Sequence, residues 1–294
     1  MLILMYHSVG SARDPYHLRV KPERLAAHLA RLRERCEIVP LAEVSRRSRR
    51  DRAAVTFDDG YVDNLYEAKP VLEKYGMPAT VFVTASAVPD GATFWYDRLA
   101  HLVLDAPSTV SHIELNVAGT PLWADLRSES ARARAHIAIH RRVRNLQPAE
   151  ISSTLDALAE SLATVPDTDT APRSLNTDEL RSLGEGGLVD IGAHTLTHPV
   201  LSQLPANEQW SEIHGSRRLL QDLTGMRVTS FAYPFGTPDS FTDATERLVA
   251  DAGFELAVTS TDGRSTRDLL RLPRQYVDDW DEAEFVRCLD GWLR

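Results

Sequence analysis

The sequence has 294 residues, of which 43% are hydrophobic and 26% are charged, and its formal net charge at pH 7 is -9. This length and composition suffice for one large α/β domain with its own core, or for two modest domains. The acidic balance argues against nucleic acid as the main partner, because a face that binds phosphates needs a surplus of basic residues.

The first predicted element is a strand at residues 2–6, which leads directly into His7. A strand this close to a terminus must pair within a sheet to be ordered. No basic segment precedes this apolar run, and the run is too short for the core of a signal peptide or for a membrane span. We therefore expect a cytoplasmic protein without a transmembrane segment.

Short apolar runs alternate with amphipathic segments along most of the remaining chain. The runs that predict strands lie at 54–57, 79–83, 188–191, 228–233 and 254–258, and the segments that predict helices lie at 22–36, 65–75, 206–223 and 242–252. Strands separated by helices of this length are typical of a mostly parallel sheet. Six such strands favour a barrel or a barrel-like sheet.

One block of sequence, residues 93–174, breaks this alternation. It is rich in arginine and alanine, it has a helical pattern, and its end at 166–173 has the composition of a linker. We interpret the chain as a single domain over residues 1–294 that carries this block as a helical insertion or cap. The insertion is also a candidate surface for self-association into a homo-oligomer.

Two adjacent carboxylates, Asp58 and Asp59, follow the strand at 54–57 and precede Gly60. Functional sites of α/β proteins assemble at the carboxyl ends of strands. Two neighbouring aspartates repel one another unless a cation or a proton lies between them. An Asp-Gly turn that ends a strand is the structural alternative, and this stretch alone favours a functional site only slightly.

Two histidines, His194 and His198, follow the strand at 188–191 with the i, i+4 spacing that lets two imidazoles share one metal ion. His136 and His140 have the same spacing, but that pair lies among arginines that would repel a cation. The location after a strand favours the first pair. One carboxylate and two imidazoles leave open positions on a metal, and the second aspartate can act as a base for water. The pattern therefore predicts metal-assisted hydrolysis of a carbonyl compound.

The stretches TFDDG, HTLTH and FAYPFG together resemble three motifs of the NodB-type polysaccharide deacetylases, which form carbohydrate esterase family 4. The resemblance spans nearly the whole chain outside the insertion and implies a distorted (β/α) barrel. It also implies removal of acetyl from an N-acetylated sugar, which is carrier-linked, nucleotide-linked or a small glycoside, with release of acetate and a free amino sugar. By this resemblance Asp58 is the general base, and Asp59, His194 and His198 hold one divalent ion, which is usually Zn²⁺ in the family.

The same resemblance indicates further residues near the substrate. The backbone N–H of Phe235, where the family commonly has tyrosine, would help to hold the oxyanion. We also include Tyr233, Arg274 and Trp95 among the candidates for contact with the oxyanion or the substrate. Trp95 suits the apolar face of a sugar ring, but it is at least equally suited to anchor the inserted helices.

Three departures from the family pattern affect this interpretation. The third motif has Ala232 where the family often has an arginine that braces the catalytic aspartate, and the usual fourth motif is not evident. No Leu-x-His motif follows near the C-terminus. Arg274 is a candidate for the bracing role, and a structural ion pair is an equally favoured alternative.

The absent C-terminal histidine has a candidate at the other end of the chain. Some family members are circularly permuted, with the last barrel strand moved to the N-terminus. By that resemblance the strand at 2–6 is the missing motif, and His7 is the acid that protonates the leaving amine. The alternative is that His7 caps the strand and hydrogen-bonds a neighbouring backbone carbonyl.

Two other functions remain open. The first is an O-acetyl carbohydrate esterase, because the same groups act on the acyl carbon whichever heteroatom leaves. The second is a glycan-binding pseudoenzyme, which the missing third-motif arginine favours slightly. The presence of Asp58, Asp59, His194 and His198 argues against a pseudoenzyme.

Overall fold

The computed structural model of the chain describes residues 1–11, 14–162, 172–263 and 268–294. These residues form two compact units, one made of Met1–Gly91 with Ser174–Arg294 and the other of Ala92–Arg173. Most of the linker predicted at 166–173 lies outside the described residues.

The described strands and helices follow one another along the chain as listed here. The strands are β1 (Leu2–Tyr6), β2 (Ser8–Val9), β3 (Arg19–Val20), β4 (Glu37–Ile38), β5 (Arg52–Phe57), β6 (Ala79–Val83), β7 (His112–Val117), β8 (Thr120–Asp125), β9 (Val189–Ala193), β10 (Ser230–Ala232), β11 (Leu256–Val258) and β12 (Gln275–Tyr276). The helices are α1 (Pro22–Arg35), α2 (Lys69–Tyr75), α3 (Trp95–Leu104), α4 (Glu129–Val143), α5 (Pro148–Ser161), α6 (Thr177–Gly184), α7 (Ala206–Thr224), α8 (Asp243–Asp251) and α9 (Glu282–Trp292).

The first unit is built on one curled, barrel-like sheet. Its strand order is β11-β10-β9-β6-β5-β1-β12, with β4 paired beside β5, and the neighbouring strands are parallel. An isolated parallel bridge joins Val258 at the end of β11 to Leu272, shortly before β12, and so links the two ends of the sheet. The predicted class, a distorted (β/α) barrel, is confirmed.

Side chains alternate between the two faces of this sheet. On β1, Leu2, Leu4 and Tyr6 pack in the same cluster as the apolar residues of the surrounding helices. Ile3 packs in a different cluster, together with Phe82 of β6 and other residues of the inner face. The inner face is therefore lined by every second residue of each strand, as the pleat of a β-strand requires.

This alternation fixes which residues reach the inner rim. Ala54 of β5 belongs to the inner cluster, and Val189, Ile191 and Ala193 of β9 belong to the outer one. Every second residue after Ala54 faces inward, which brings Asp58 to the inner face. On β9 the residues between the outer ones face inward, and the next of these is His194. On β1 the inward positions continue from Ile3 to His7. The strand pattern alone thus brings three of the predicted site residues to one face.

The helices begin and end close to the predicted positions, at residues whose chemistry explains the ends. The helix predicted at 65–75 is a π-helical turn, Asn64–Ala68, followed by α2, which ends at Gly76 with a left-handed φ of 62°. Helix α6 begins with a capping box made by Asn176 and Glu179. No helix in the described ranges is sufficiently long and apolar to cross a bilayer.

The second unit has its own apolar core and contains a β-hairpin that the helical prediction missed. Strands β7 and β8 pair antiparallel around Ala118 and Gly119, whose φ values of 48° and 81° are both positive. Two left-handed residues are typical of the tight turns that join twisted hairpin strands. The alternating exposure of β7, with every second residue buried, is the period-two signal that identifies the strand.

Candidate metal centre and active site

Asp59, His194 and His198 meet where β5 and β9 end. The Oδ1 atom of Asp59 lies 3.6 Å from Nε2 of His194 and 3.6 Å from Nε2 of His198. The three candidate ligand atoms all lie within 4.8 Å of one another. Ligand atoms about 2.0–2.2 Å from a tetrahedral zinc ion are roughly 3.3–3.6 Å apart, so this donor set fits one divalent ion.

The surroundings of His194 and His198 keep both imidazoles neutral, and they fix which nitrogen of His194 carries the proton. Nδ1 of His194 lies 2.8 Å from the carbonyl oxygen of Ala232. A carbonyl can only accept, so Nδ1 carries the proton and Nε2 keeps its lone pair. Burial lowers the pKa of His194 and of His198 to about 4. Both rings are therefore neutral near pH 7, which is the state that binds a metal.

Two of the candidate ligands and one residue of the loop between the histidines have backbone that departs from regular conformation. Asp59, Thr195 and His198 have φ values of 72°, 65° and 60°. The left-handed conformation costs a residue with a Cβ roughly 1–2 kcal/mol, and such residues cluster at functional sites. Gly60 has a φ of 82°, and a Cβ there would lie only 3.0 Å from Cγ1 of Val83, so glycine is required at this position.

Asp58 is buried against Arg274. The Nη1 and Nη2 atoms of Arg274 donate to Oδ1 and Oδ2 of Asp58, both at 2.6 Å. Arg274 is 1% exposed, and its Nε donates to the carbonyl oxygen of Thr259 at 2.9 Å. Burial alone would raise the pKa of Asp58, but the charge of Arg274, with smaller effects from His194 and the hydrogen bonds, holds it well below its usual range.

His7 lies opposite Asp58 in the sheet. Tyr6 of β1 pairs with Phe57 of β5, and the N–H of Asp58 donates to the carbonyl of Tyr6 at 3.0 Å, so the next pair along the strands is His7 and Asp58. The charge of His7 contributes to the low pKa of Asp58. Nδ1 of His7 is buried and has no hydrogen-bond partner among the described residues, so this atom does not cap a backbone carbonyl.

The two aromatic residues of the third motif lie in different surroundings. The ring of Phe235 lies beside that of His198, with centroids 4.9 Å apart, and its φ is 61°. Tyr233 is fully buried on the helix-facing side of the sheet, stacks on Phe241, and donates its hydroxyl to the carbonyl of Leu270 at 3.0 Å. The expectation that Tyr233 contacts substrate is therefore corrected, because Tyr233 directly follows β10 and the strand alternation turns its side chain away from the inner rim.

Trp95 begins α3 in the second unit. Its indole stacks on the ring of His140, with centroids 5.2 Å apart, and its Nε1 is buried without a hydrogen-bond partner in the described part of the chain. The contact with substrate expected from the sequence stays a prediction.

Glu212 is a residue near the site that the sequence analysis missed. Its carboxylate accepts hydrogen bonds from the loop between His194 and His198. The available signal was its place on α7, where it shares the buried face with Gln209, Ile213, Ser216 and Leu220. An acidic residue on a buried helical face is rare unless hydrogen bonds satisfy it.

Comparison with known proteins matches this geometry to a family. The sequence profile described as polysaccharide deacetylase matches residues 45–257, which is more than half of the chain. The chain belongs to the polysaccharide deacetylase family. The match includes the segments with Asp58, Asp59, His194 and His198, whereas His7 and Arg274 lie outside the matched residues.

Individual deacetylases resemble the chain at low identity. A putative polysaccharide deacetylase of Bacillus subtilis (strain 168), YxkH, is 22% identical over 273 residues, which cover 90% of this chain and 66% of that protein. The chain thus spans just under two thirds of the length of this relative.

Solved deacetylase structures share the fold. IcaB from Ammonifex degensii superposes with a TM-score of 0.63 at 18% identity and covers 99% of this chain and 95% of its own. Streptococcus pyogenes deacetylase PplD, solved in complex with acetate, gives a TM-score of 0.61 at 17% identity, with coverages of 98% and 96%. These similarities support the NodB-type barrel for this polysaccharide deacetylase family member.

Proposed function

We propose that the protein is a divalent-metal-dependent N-deacetylase that removes acetyl from an N-acetylated sugar and releases acetate and a free amine. The observation that carries this proposal is the convergence of His7, Asp58 and His194 on the inner rim. Asp59 and His198 adjoin them there. The family membership supports deacetylation, and the nature of the leaving atom and the need for a metal are parts of the proposal.

In this proposal Asp59, His194 and His198 hold the ion. A divalent ion held there would polarise the acyl carbonyl and lower the pKa of the attacking water. Asp58 accepts the proton of that water as the water oxygen adds to the acetyl carbon. The paired charge of Arg274 lowers the pKa of Asp58, which keeps the carboxylate ionised and oriented.

The leaving nitrogen needs a proton when its bond to the acyl carbon breaks. His7 donates this proton, since imidazole exchanges protons near neutral pH and His7 adjoins Asp58 across β1 and β5. The backbone N–H of Phe235 stabilises the oxyanion, a role supported by the position of its ring beside His198. The circular permutation that would place β1 last in the usual family order remains part of the proposal.

The substrate class follows from the family and from the acidic charge of the chain. A carrier-linked sugar, a nucleotide sugar and a small glycoside are the candidates, with no role for nucleic acid as a partner. A cytoplasmic location is also part of the proposal. Trp95 remains a proposed contact for a sugar ring, and the second unit remains a proposed surface for self-association.

A panel of acetylated substrates tests the proposal. Purified protein reconstituted with one equivalent of zinc is incubated with matched N-acetyl and O-acetyl sugars, and acetate and free amine are measured together. We expect equal amounts of acetate and amine from at least one N-acetyl substrate. Release of acetate from O-acetyl sugars alone would identify an esterase, and zinc binding without any release would support a pseudoenzyme.

The variant Asp58→Asn tests whether Asp58 is the general base. It preserves shape and the three ligands but removes the proton acceptor, so zinc content should be retained while turnover falls by about 10²–10⁴-fold. Turnover near the wild-type rate would mean that Asp58 is not the base.

Asp59→Ala should instead lower zinc affinity, and excess zinc should partly restore its activity.

A further inference from the structure

The loop between His194 and His198 is held by a buried carboxylate on α7. The N–H groups of Leu196 and Thr197 donate to Oε2 of Glu212 at 2.8 and 2.9 Å, and the Thr197 hydroxyl donates to Oε1 at 2.7 Å. Glu212 is only 9% exposed. A carboxylate removed from water needs hydrogen bonds to replace its hydration, and these three donors come from the loop.

The opposite side of the loop is held by the short helical turn Ala85–Ala87, which follows β6. The N–H of Ala85 donates to the carbonyl of Thr195 at 3.0 Å. The N–H and hydroxyl of Ser86 donate to the carbonyl of Leu196 at 3.0 and 2.5 Å. The N–H groups of the loop are therefore bound by α7 and its carbonyl groups by this turn.

A glycine on α7 allows the loop to approach the helix. Gly215 lies three residues after Glu212, so both residues lie on one face of the helix. A Cβ at Gly215 would lie 2.8 Å from Cδ1 of Leu196 and 3.4 Å from its Cγ. Helix α7 thus presents a carboxylate to Leu196 and Thr197 and a bare stretch of backbone to Leu196.

We propose that Glu212 is a positioning residue that sets the geometry of His198 as a metal ligand. The inference rests on the proposed function, because it assumes that His198 binds the ion. His198 directly follows Thr197, and its strained backbone, with a φ of 60°, is tied to the loop by a hydrogen bond from its N–H to Oγ1 of Thr195 at 3.0 Å. The position of the imidazole therefore depends on the loop that Glu212 binds.

His194 is positioned by different groups. It directly follows β9, its N–H donates to the carbonyl of Val83 at 2.9 Å, and its Nδ1 is bound by the carbonyl of Ala232. Loss of the Glu212 carboxylate should therefore displace His198 and leave His194 in place. A site that keeps two of its three ligands should still bind zinc, but more weakly and with altered geometry.

Zinc affinity and the spectrum of bound cobalt test this role without relying on activity. Chelated full-length protein is titrated with zinc in competition with a chromophoric chelator, and cobalt(II) is bound in parallel to record its visible absorption. We expect Glu212→Gln to weaken zinc binding by about 10–100-fold, as is typical for groups that orient metal ligands, and to change the cobalt spectrum. Asp222→Asn, at an exposed acidic residue of the same helix, is the matched control and should change neither.

A second pair of variants keeps the test decisive if Glu212→Gln fails to fold. Thr197→Val removes only the hydroxyl donor and should weaken zinc binding, whereas Thr197→Ser retains that donor and should restore the wild-type value. Wild-type zinc affinity and an unchanged cobalt spectrum in folded Glu212→Gln, or in Thr197→Val, would overturn the inference. Absence of zinc binding by the wild-type protein would instead overturn the proposed function.

Discussion

Arg274 and Asp58 form a buried ion pair, and removal of either partner leaves the charge of the other buried. Both side chains are nearly inaccessible to solvent, at 0% and 4% exposure, so either charge alone would be left buried without compensation. We predict that Arg274→Met lowers the free energy of unfolding by about 3–5 kcal/mol, measured by urea denaturation. The half-exposed pair of Arg31 and Glu282 offers a control, since Arg31→Met should lower the free energy of unfolding far less than Arg274→Met.

A double variant separates charge burial from loss of packing in this prediction. Arg274→Met combined with Asp58→Asn leaves neither charge buried, so most of the lost stability should return while activity stays low. If the double variant were as unstable as Arg274→Met, packing of the arginine side chain against Phe82 would explain the loss instead.

His7 is the residue that should distinguish amide from ester substrates. An amine leaves poorly without a proton, whereas an alkoxide from an ester needs the acid less, so the demand for His7 differs between the two. We predict that His7→Ala retains one zinc ion, cuts N-deacetylation by about 10²–10⁴-fold, and affects O-acetyl substrates less. Equal losses on matched N-acetyl and O-acetyl sugars would assign the proton to another group. His112→Ala, at an exposed histidine of the second unit, is the control.

Contacts that depend on which strands are neighbours could be offered from the sequence only as candidates, as Arg274 was for Asp58. The period-two pattern of the strands suffices to place His7, Asp58 and His194 on one face, and the structure has them there. The contact of Arg274 with Asp58 depends on β1 lying between β5 and β12, an order that no local pattern encodes. Tyr233 was misassigned because strand alternation was not applied to β10.

At the scale of elements, the connection that follows β5 contains a carboxylate in an unfavourable environment, and this carboxylate contacts the segment after β1. Asp63 accepts hydrogen bonds from the hydroxyl of Ser8 at 2.5 Å and from the amide of Asn64 at 3.1 Å. Asn64 also donates to the carbonyl of His7 at 2.8 Å, so these residues hold the segment after β1. Burial raises the pKa of Asp63 from 3.8 to about 6 despite these hydrogen bonds.

This pKa gives the segment a defined dependence on pH. Because the folded-state pKa lies above the unfolded value, the stability that protonated Asp63 contributes is fully present below a pH of 3.8 and is lost as the pH rises through about 6. We predict that the unfolding free energy of the wild type, relative to Asp63→Asn, decreases across that interval. Urea denaturation at a series of pH values measures it. A difference that stays constant with pH would contradict the raised pKa.

Elements with a clear local signal were predictable, and those whose signal was weak or overlooked were not. Strand β1 and helix α1 follow directly from apolar runs and amphipathic spacing. The hairpin of β7 and β8 had an alternating pattern and a glycine at its turn, but it lay within a segment rich in helix-forming residues. Strand β12 has only two residues and exists because it pairs with β1, which is a tertiary effect.

At the scale of the whole molecule, the two units have separate apolar cores. The core cluster of the first unit includes residues of β1 and α7, whereas a distinct cluster joins α3, α4, α5 and the β7–β8 hairpin. All three proposed metal ligands belong to the first unit. We predict that zinc at 100 times its dissociation constant stabilises that unit by about 2.7 kcal/mol and leaves the second unit unchanged.

Hydrogen exchange read by mass spectrometry follows both units in one experiment. Peptides from β5 and β9 should gain protection when zinc is added, and peptides from α4 and α5 should not. The variant Asp59→Ala serves as the control, since it should lose the effect of zinc on the first unit. Equal protection of both cores by zinc would show that the molecule unfolds as one cooperative body.

We propose that deacetylation by this protein requires one divalent ion held by Asp59, His194 and His198. A titration of chelator-treated protein with zinc, in which acetate release from an N-acetyl sugar is measured at each addition, tests this requirement. We predict no release from the metal-free protein, a linear rise to one equivalent of zinc, and no further rise beyond it. Acetate release by the metal-free protein at the rate of the zinc-loaded form would contradict the claim.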